Sequence, residues 1–119
     1  MKLHTVAVLD EPDTHLAAVC EVAGAQFSGA DITLLEPGDS VELHLEPENE
    51  HDPYAVAVYF ASRRVGYVPA NSGANINLLV RTLLLSSLSV TCIVRSVDEG
   101  ATHVRSRVKL GVYVRCERG

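Results

Sequence analysis

Tryptophan is absent, methionine occurs once, and four Tyr with two Phe make the aromatic share only 5% of 119 residues. That scarcity excludes a broad stacking platform and leaves Val, Leu, Ile and Ala to fill the core. Cysteine is sparse too: Cys20, Cys92 and Cys116 are odd in number, lack CxxC spacing and sit in apolar, strand-like surroundings. They read as reduced, buried thiols of a cytoplasmic protein. The first eleven residues carry one base, an apolar run broken by His4, then Asp10 and Glu11, which is a poor secretory signal. The longest apolar stretch, 76–94, is interrupted by Asn77, Arg81 and several Ser and Thr, so no membrane span is expected. Phosphate-binding loops, GxGxxG turns and GxSxG elbows are missing, and with them the usual signs of an enzyme.

Positive charge is nearly missing from one half. Residues 1–62 hold Lys2 against twelve acids, whereas residues 63–119 hold nine bases against three acids, for a net charge of −5. The total argues against a general DNA coater, which needs many Lys and Arg at phosphates. It leaves open a local basic face, or two halves that neutralise each other across the fold.

What is present is ample apolar material, 47% of the chain, with 21% charged residues. This suits one domain over residues 1–119 with a single core. Ser40–Glu46 alternates strictly, with Val41, Leu43 and Leu45 on one face and Glu42, His44 and Glu46 on the wet one, which predicts an antiparallel strand. Ala55–Phe60 and Arg64–Val68 read as a hairpin joined through Ala61-Ser62-Arg63, although no glycine marks the turn. Further strands are expected near Thr5–Leu9, Leu16–Val22, Leu88–Val97 and Arg107–Cys116, with Asp98-Glu99-Gly100 turning the last pair. Ile76, Leu79, Val80, Leu83 and Leu84 recur at helical spacing and predict an amphipathic helix of about 12 residues, capped from within 71–74. A second short helix is expected over Asp31–Leu35. The sum is a mostly β fold: a small antiparallel six- to seven-stranded barrel of SH3 or OB type, crossed by one main helix.

The most distinctive stretch runs from Leu45 to Tyr59. Pro47 and Pro53 stiffen it, and Asn49 and Asp52 have side chains suited to bonding nearby backbone amides. Its order of residues, Glu46-Pro47-Glu48-Asn49, Asp52, Ala55-Val56-Ala57-Val58, then Val65-Gly66-Tyr67-Val68-Pro69, resembles the HIRAN domain. The element Val22-Ala23-Gly24-Ala25-Gln26-Phe27 is similar to the first barrel strand of that family, so the resemblance is clearest over residues 19–97.

The resemblance implies nucleic-acid binding, as in the DNA-end module of helicase-like transcription factors, which captures the 3′-hydroxyl end of single-stranded DNA. Carried over, Phe27 and His51 would stack on end bases, Asp52 would accept from the terminal hydroxyl, and Tyr67 would line the same groove. The base that the family places near Phe27 falls at Gln26 or is absent. Ala70 stands where many members carry Arg or Lys, and His51 where Tyr is common; Arg63, Arg64 and Arg81 are the remaining bases for phosphate contact. Each residue has a structural reading as well. Asp52 before Pro53 is a good turn residue, Asn49 a loop-shaping one, and Phe27 and Tyr67 suit a barrel edge.

His44, Glu46, Glu48, Glu50, His51 and Asp52 lie close in sequence but lack a second histidine at ligand spacing on a neighbouring element, so neither metal nor cofactor is expected. Two functions stand. One is a binding module for single-stranded or damaged DNA ends in repair or replication-fork processing, working beside a separate helicase or nuclease. The other is a protein-interaction or dimerising barrel that has lost DNA.

Overall fold

The computed structural model describes residues 3–5, 13–24, 34–70, 75–103 and 107–115. Within them the chain forms β1 (Leu3–Thr5), β2 (Thr14–Cys20), β3 (Ser40–Leu45), β4 (Val56–Phe60), β5 (Arg63–Tyr67), α1 (Ile76–Leu84), β6 (Ser89–Asp98) and β7 (Val108–Arg115). All pairings are antiparallel, in the order β2-β7-β6-β3-β4-β5, with β1 on the edge of β6 beyond the stretch that β3 uses.

The alternation in β3 does what its pattern requires. Val41 is buried, Leu43 and Leu45 pack against the core, and Glu42 and His44 face solvent. Register with β4 sets Leu43 beside Val58 and Leu45 beside Val56, so the inward faces of both strands coincide. Val22, Val56, Val58, Val80, Val94, Val108, Leu110 and Val112 are fully buried, and this β-branched and aliphatic set is the core that the shortage of rings demands. Each such side chain withdrawn from water contributes about 1.5–3 kcal/mol. Helix α1 adds Val80, with Ile76, Leu83 and Leu84 packed at the core margin.

Cys20 and Cys92 are buried and free, as expected, and Cys116 lies outside the described residues. Burial, with the charge of Glu21 adding to it, pushes the Cys20 thiol up to about 12; burial likewise raises that of Cys92. The acidic and basic halves meet where Lys109 on β7 donates to Glu21 at 2.7 Å, next to Cys20.

The class is mostly β with one helix among the described residues. The ladder nevertheless stops short of a closed barrel. Strands β3 and β6 pair only at Ser40↔Ile93 and Val41↔Cys92, and β2 and β5 remain the ends of the sheet. Among the described residues those ends meet at one bridge just past β2, where Ala23 and Tyr67 exchange two backbone hydrogen bonds of 2.8 Å.

Several boundaries move. Of the strand expected over Thr5–Leu9, Thr5 lies in β1 and residues 6–9 fall outside the described residues, as do Asp31, Ile32 and Thr33 of the second expected helix. Helix α1 has nine residues instead of about 12, with Leu79 38% exposed at the edge of its stripe. Asn75 precedes it in the left-handed region (φ 51°) without a side-chain cap, and the expected capping segment 71–74 is not among the described residues. The β4–β5 loop has two residues, because Phe60 pairs with Arg63. Ala61 and Ser62 take φ of 51° and 66°, as a two-residue primed turn requires even though neither is glycine. Between β6 and β7 the Asp98-Glu99-Gly100 turn only starts the connection, which returns at Arg107, whose carbonyl accepts from the Asp98 amide at 2.7 Å. No described helix is long and apolar enough to cross a membrane.

Candidate functional site

The segment between β3 and β4 is organised around Asn49. Its Oδ1 accepts from the backbone amides of His51 at 2.9 Å and Asp52 at 3.0 Å, while its Nδ2 donates to Glu46 Oε1 at 3.0 Å. Asp52 Oδ1 in turn accepts from the Tyr54 amide at 2.9 Å, and the Ala55 amide closes on the Asp52 carbonyl at 3.1 Å. Asn and Asp are well suited to this work, since their short side chains mimic backbone turns. The stretch is therefore a sequence of nested turns held by side chains.

Helix α1 braces it from below. Asn77, 5% exposed, donates Nδ2 to the Tyr54 carbonyl at 3.0 Å, and its Oδ1 accepts Arg81 Nε at 2.7 Å. The Arg81 guanidinium lies over the Tyr54 ring, 4.6 Å from its centroid. Arg81, a candidate for phosphate contact from sequence, is thus engaged in holding the loop.

Opposite the loop stands Tyr67 at the end of β5. A bulge between Val58 and Tyr59 lets Gly66 oppose Val58 and Arg64 oppose Tyr59, which leaves Val65 as the extra residue. Strict alternation would place residues 64 and 67 on opposite faces; the bulge restores them to one face. Arg64 Nη1 donates to the Tyr67 hydroxyl at 2.9 Å, with the guanidinium 5.2 Å from the ring centroid. The Tyr67 hydroxyl in turn is hydrogen-bonded to Glu46. Burial chiefly, and then the Glu46 carboxylate, raise the phenol above its ordinary value, against the lowering pull of Arg64.

These walls enclose an open groove of about 370 Å³ lined by Ala23, Gly24, Asn49, His51, Asp52, Ala55, Tyr67, Val68 and Ala70. Its floor is small and apolar, and among the described residues none that lines it is Lys or Arg. Gly24, at φ 70°, turns the chain there in a conformation that side chains rarely adopt.

The structure brings His51, Asp52 and Tyr67 together in this groove, with His51 exposed and Asp52 half-buried. Arg64 reaches it through Tyr67, whereas Arg63 is exposed beside the hairpin turn and does not line it. Gln26 and Phe27 lie outside the described residues; Gly24 is the last described position before them. Sequence reasoning passed over Glu46 as a member of the site and placed it on the wet strand face. The signal was available: a carboxylate three residues before a loop Asn can accept its amide. It also missed the brace of Tyr54 and Asn77, which no spacing announces. Among the described residues no group of three or more His, Cys, Asp or Glu is arranged to hold a metal ion. His44 instead meets Glu42 at 3.0 Å and the Tyr59 ring edge-on at 4.7 Å.

Comparison with known proteins places these features in context. The family model of the HIRAN domain matches residues 15–117, a wider span than the 19–97 where the resemblance was clearest. A crystal structure of a protein from Lactobacillus plantarum is similar with a TM-score of 0.62 at 19% identity, over 85% of this chain and 94% of that one. The crystal structure of the HIRAN domain of human HLTF is similar with a TM-score of 0.51 at 13% identity, over 82% and 71% of the two chains. At such identities the two structures speak for a shared fold. No curated protein sequence matches the chain.

Proposed function

The chain belongs to the HIRAN domain family, which supports reading it as a nucleic-acid-binding module, and we propose that it captures the 3′-hydroxyl end of single-stranded DNA. The observation that carries this reading is the convergence of His51, Asp52 and Tyr67, from two separate segments, on one groove with an apolar floor. A base is held by a π face and an apolar surface without regard to its identity, and a sugar hydroxyl is recognised by a fixed carboxylate. Asp52 is fixed because Oδ1 is bound to the Tyr54 amide, which leaves Oδ2 to accept from the hydroxyl. In this reading Phe27 stacks on an end base and Gln26 contacts the strand beside it, as the family resemblance implies, while Arg64 meets the nearest phosphate and Arg63 a more distant one. The module acts by binding and carries no catalysis of its own. It serves repair or replication-fork processing beside a separate helicase or nuclease.

The test is fluorescence anisotropy of short labelled single strands with wild type, Asp52→Asn and Asp52→Ala. Asn keeps an acceptor for the Tyr54 amide, so it separates ligand recognition from loop folding. Both variants are expected to weaken binding of hydroxyl ends by about tenfold or more. Few phosphates are contacted, so the dependence on salt should be shallow, with a slope of roughly one to two. Wild-type affinity unaffected by Asp52→Asn would sink end capture, and absence of any binding at low salt would point to a protein partner instead.

A further inference from the structure

We infer that Glu46 sets the selectivity of this groove, restricting it to an uncharged terminal sugar hydroxyl and excluding a terminal phosphate. The inference rests on the reading of the groove as a site for DNA ends. The Tyr67 hydroxyl accepts Arg64 Nη1 at 2.9 Å, so its own proton is directed to its other partner, Glu46. The phenol therefore offers the groove no free donor, although a phosphate would need one.

Glu46 cannot easily turn away. Asn49 Nδ2 holds its Oε1 at 3.0 Å, and Asn49 is itself fixed by accepting the amides of His51 and Asp52. A second carboxylate is thus anchored behind the wall that presents Asp52. Against these two negative charges stands Arg64, with Nη1 committed to the Tyr67 hydroxyl and Nε buried without an acceptor among the described residues. Among the described residues no Lys or Arg lines the groove. A hydroxyl asks only for an acceptor, which Asp52 supplies; a phosphate near its second ionisation brings up to two charges to a wall that repels them. Glu46 acts through Tyr67 and Asn49, as a positioning residue, and through its charge.

The experiment compares oligonucleotides ending in a 3′-hydroxyl and a 3′-phosphate, by anisotropy at one fixed salt concentration, for wild type, Glu46→Gln and Tyr67→Phe. Gln keeps an acceptor for Asn49 and Tyr67 while removing the charge. Phe removes the phenol and releases the Arg64 guanidinium, and it carries the test should Glu46→Gln fail to fold. Wild type is expected to prefer the hydroxyl end, and each variant to narrow that preference by about three- to tenfold, mainly through tighter binding of the phosphate end. A preference that persists in both variants, or losses that fall equally on both ends, would assign Glu46 a purely structural role and overturn the inference. Equal binding of both ends by wild type would overturn it as well. Failure of wild type to bind either end would instead remove the underlying reading of the groove, which is a distinct outcome.

Discussion

Strand β4 is entered through the 46–55 segment and left through the Ala61-Ser62 turn, and the two connections are ordered by opposite means. In the first, Asn49 and Asp52 accept three backbone amides between them, and Asn77 fastens the Tyr54 carbonyl to the helix. In the second, two exposed residues without glycine's freedom adopt φ of 51° and 66° because the strands on either side demand it. A left-handed conformation costs an L-residue roughly 1–2 kcal/mol. Residues with a favourable local geometry form the surface that presents groups, and the strained turn is imposed by its neighbours. Side-chain bonds to the backbone are concentrated in the segment that builds the groove.

Removing the hub of the loop should have the largest effect. Asn49→Ala strands two amides and frees Glu46, and is expected to cost about 2–3 kcal/mol in denaturant unfolding while abolishing DNA binding. A loss below about 0.5 kcal/mol would mean that the prolines alone hold the loop. Asn77→Ala should cost less, about 1–2 kcal/mol, because solvent can replace part of the brace. Amide resonance shifts should then spread through residues 51–55 and spare the hairpin at 60–63; shifts confined to α1 would separate helix from loop.

The hairpin should respond with the opposite sign. Ser62→Gly accepts the positive φ at lower cost, and a gain of about 0.5–1 kcal/mol is expected from the same denaturation measurement. A loss would show that the strands do not strain this turn. The smallest effect concerns Tyr67. Its folded value lies above the ordinary one, so the stability it contributes is complete below about pH 10 and declines as pH rises through the raised value. Ultraviolet titration of wild type against Tyr67→Phe should show one phenol ionising later than free tyrosine. Ionisation at or below the ordinary value would contradict the bond to Glu46.

Much of this could be read from residue order. Alternation placed Val41, Leu43 and Leu45 on the inner face of β3, helical spacing located Ile76, Val80, Leu83 and Leu84, and the run from Glu46 to Pro69 identified both family and groove region. Charge alternation misled at Glu46, because the strand ends at Leu45 and the side chain turns to Asn49 and Tyr67. Arg81 misled similarly, being taken up by Asn77 and Tyr54.

Periodic and local preferences, which act over a few residues, were thus determined by the sequence itself: the strands, the helix, the apolar core, and the Asn and Asp turns of the loop. The tertiary structure alone decided the rest. The bulge that sets Arg64 beside Tyr67, the two-residue turn without glycine, the bridge from Ala23 to Tyr67 and the support of Tyr54 by Asn77 each join residues through strand register or helix docking. Such contacts depend on how whole elements meet, and the free energy that selects them is spread over the packed core.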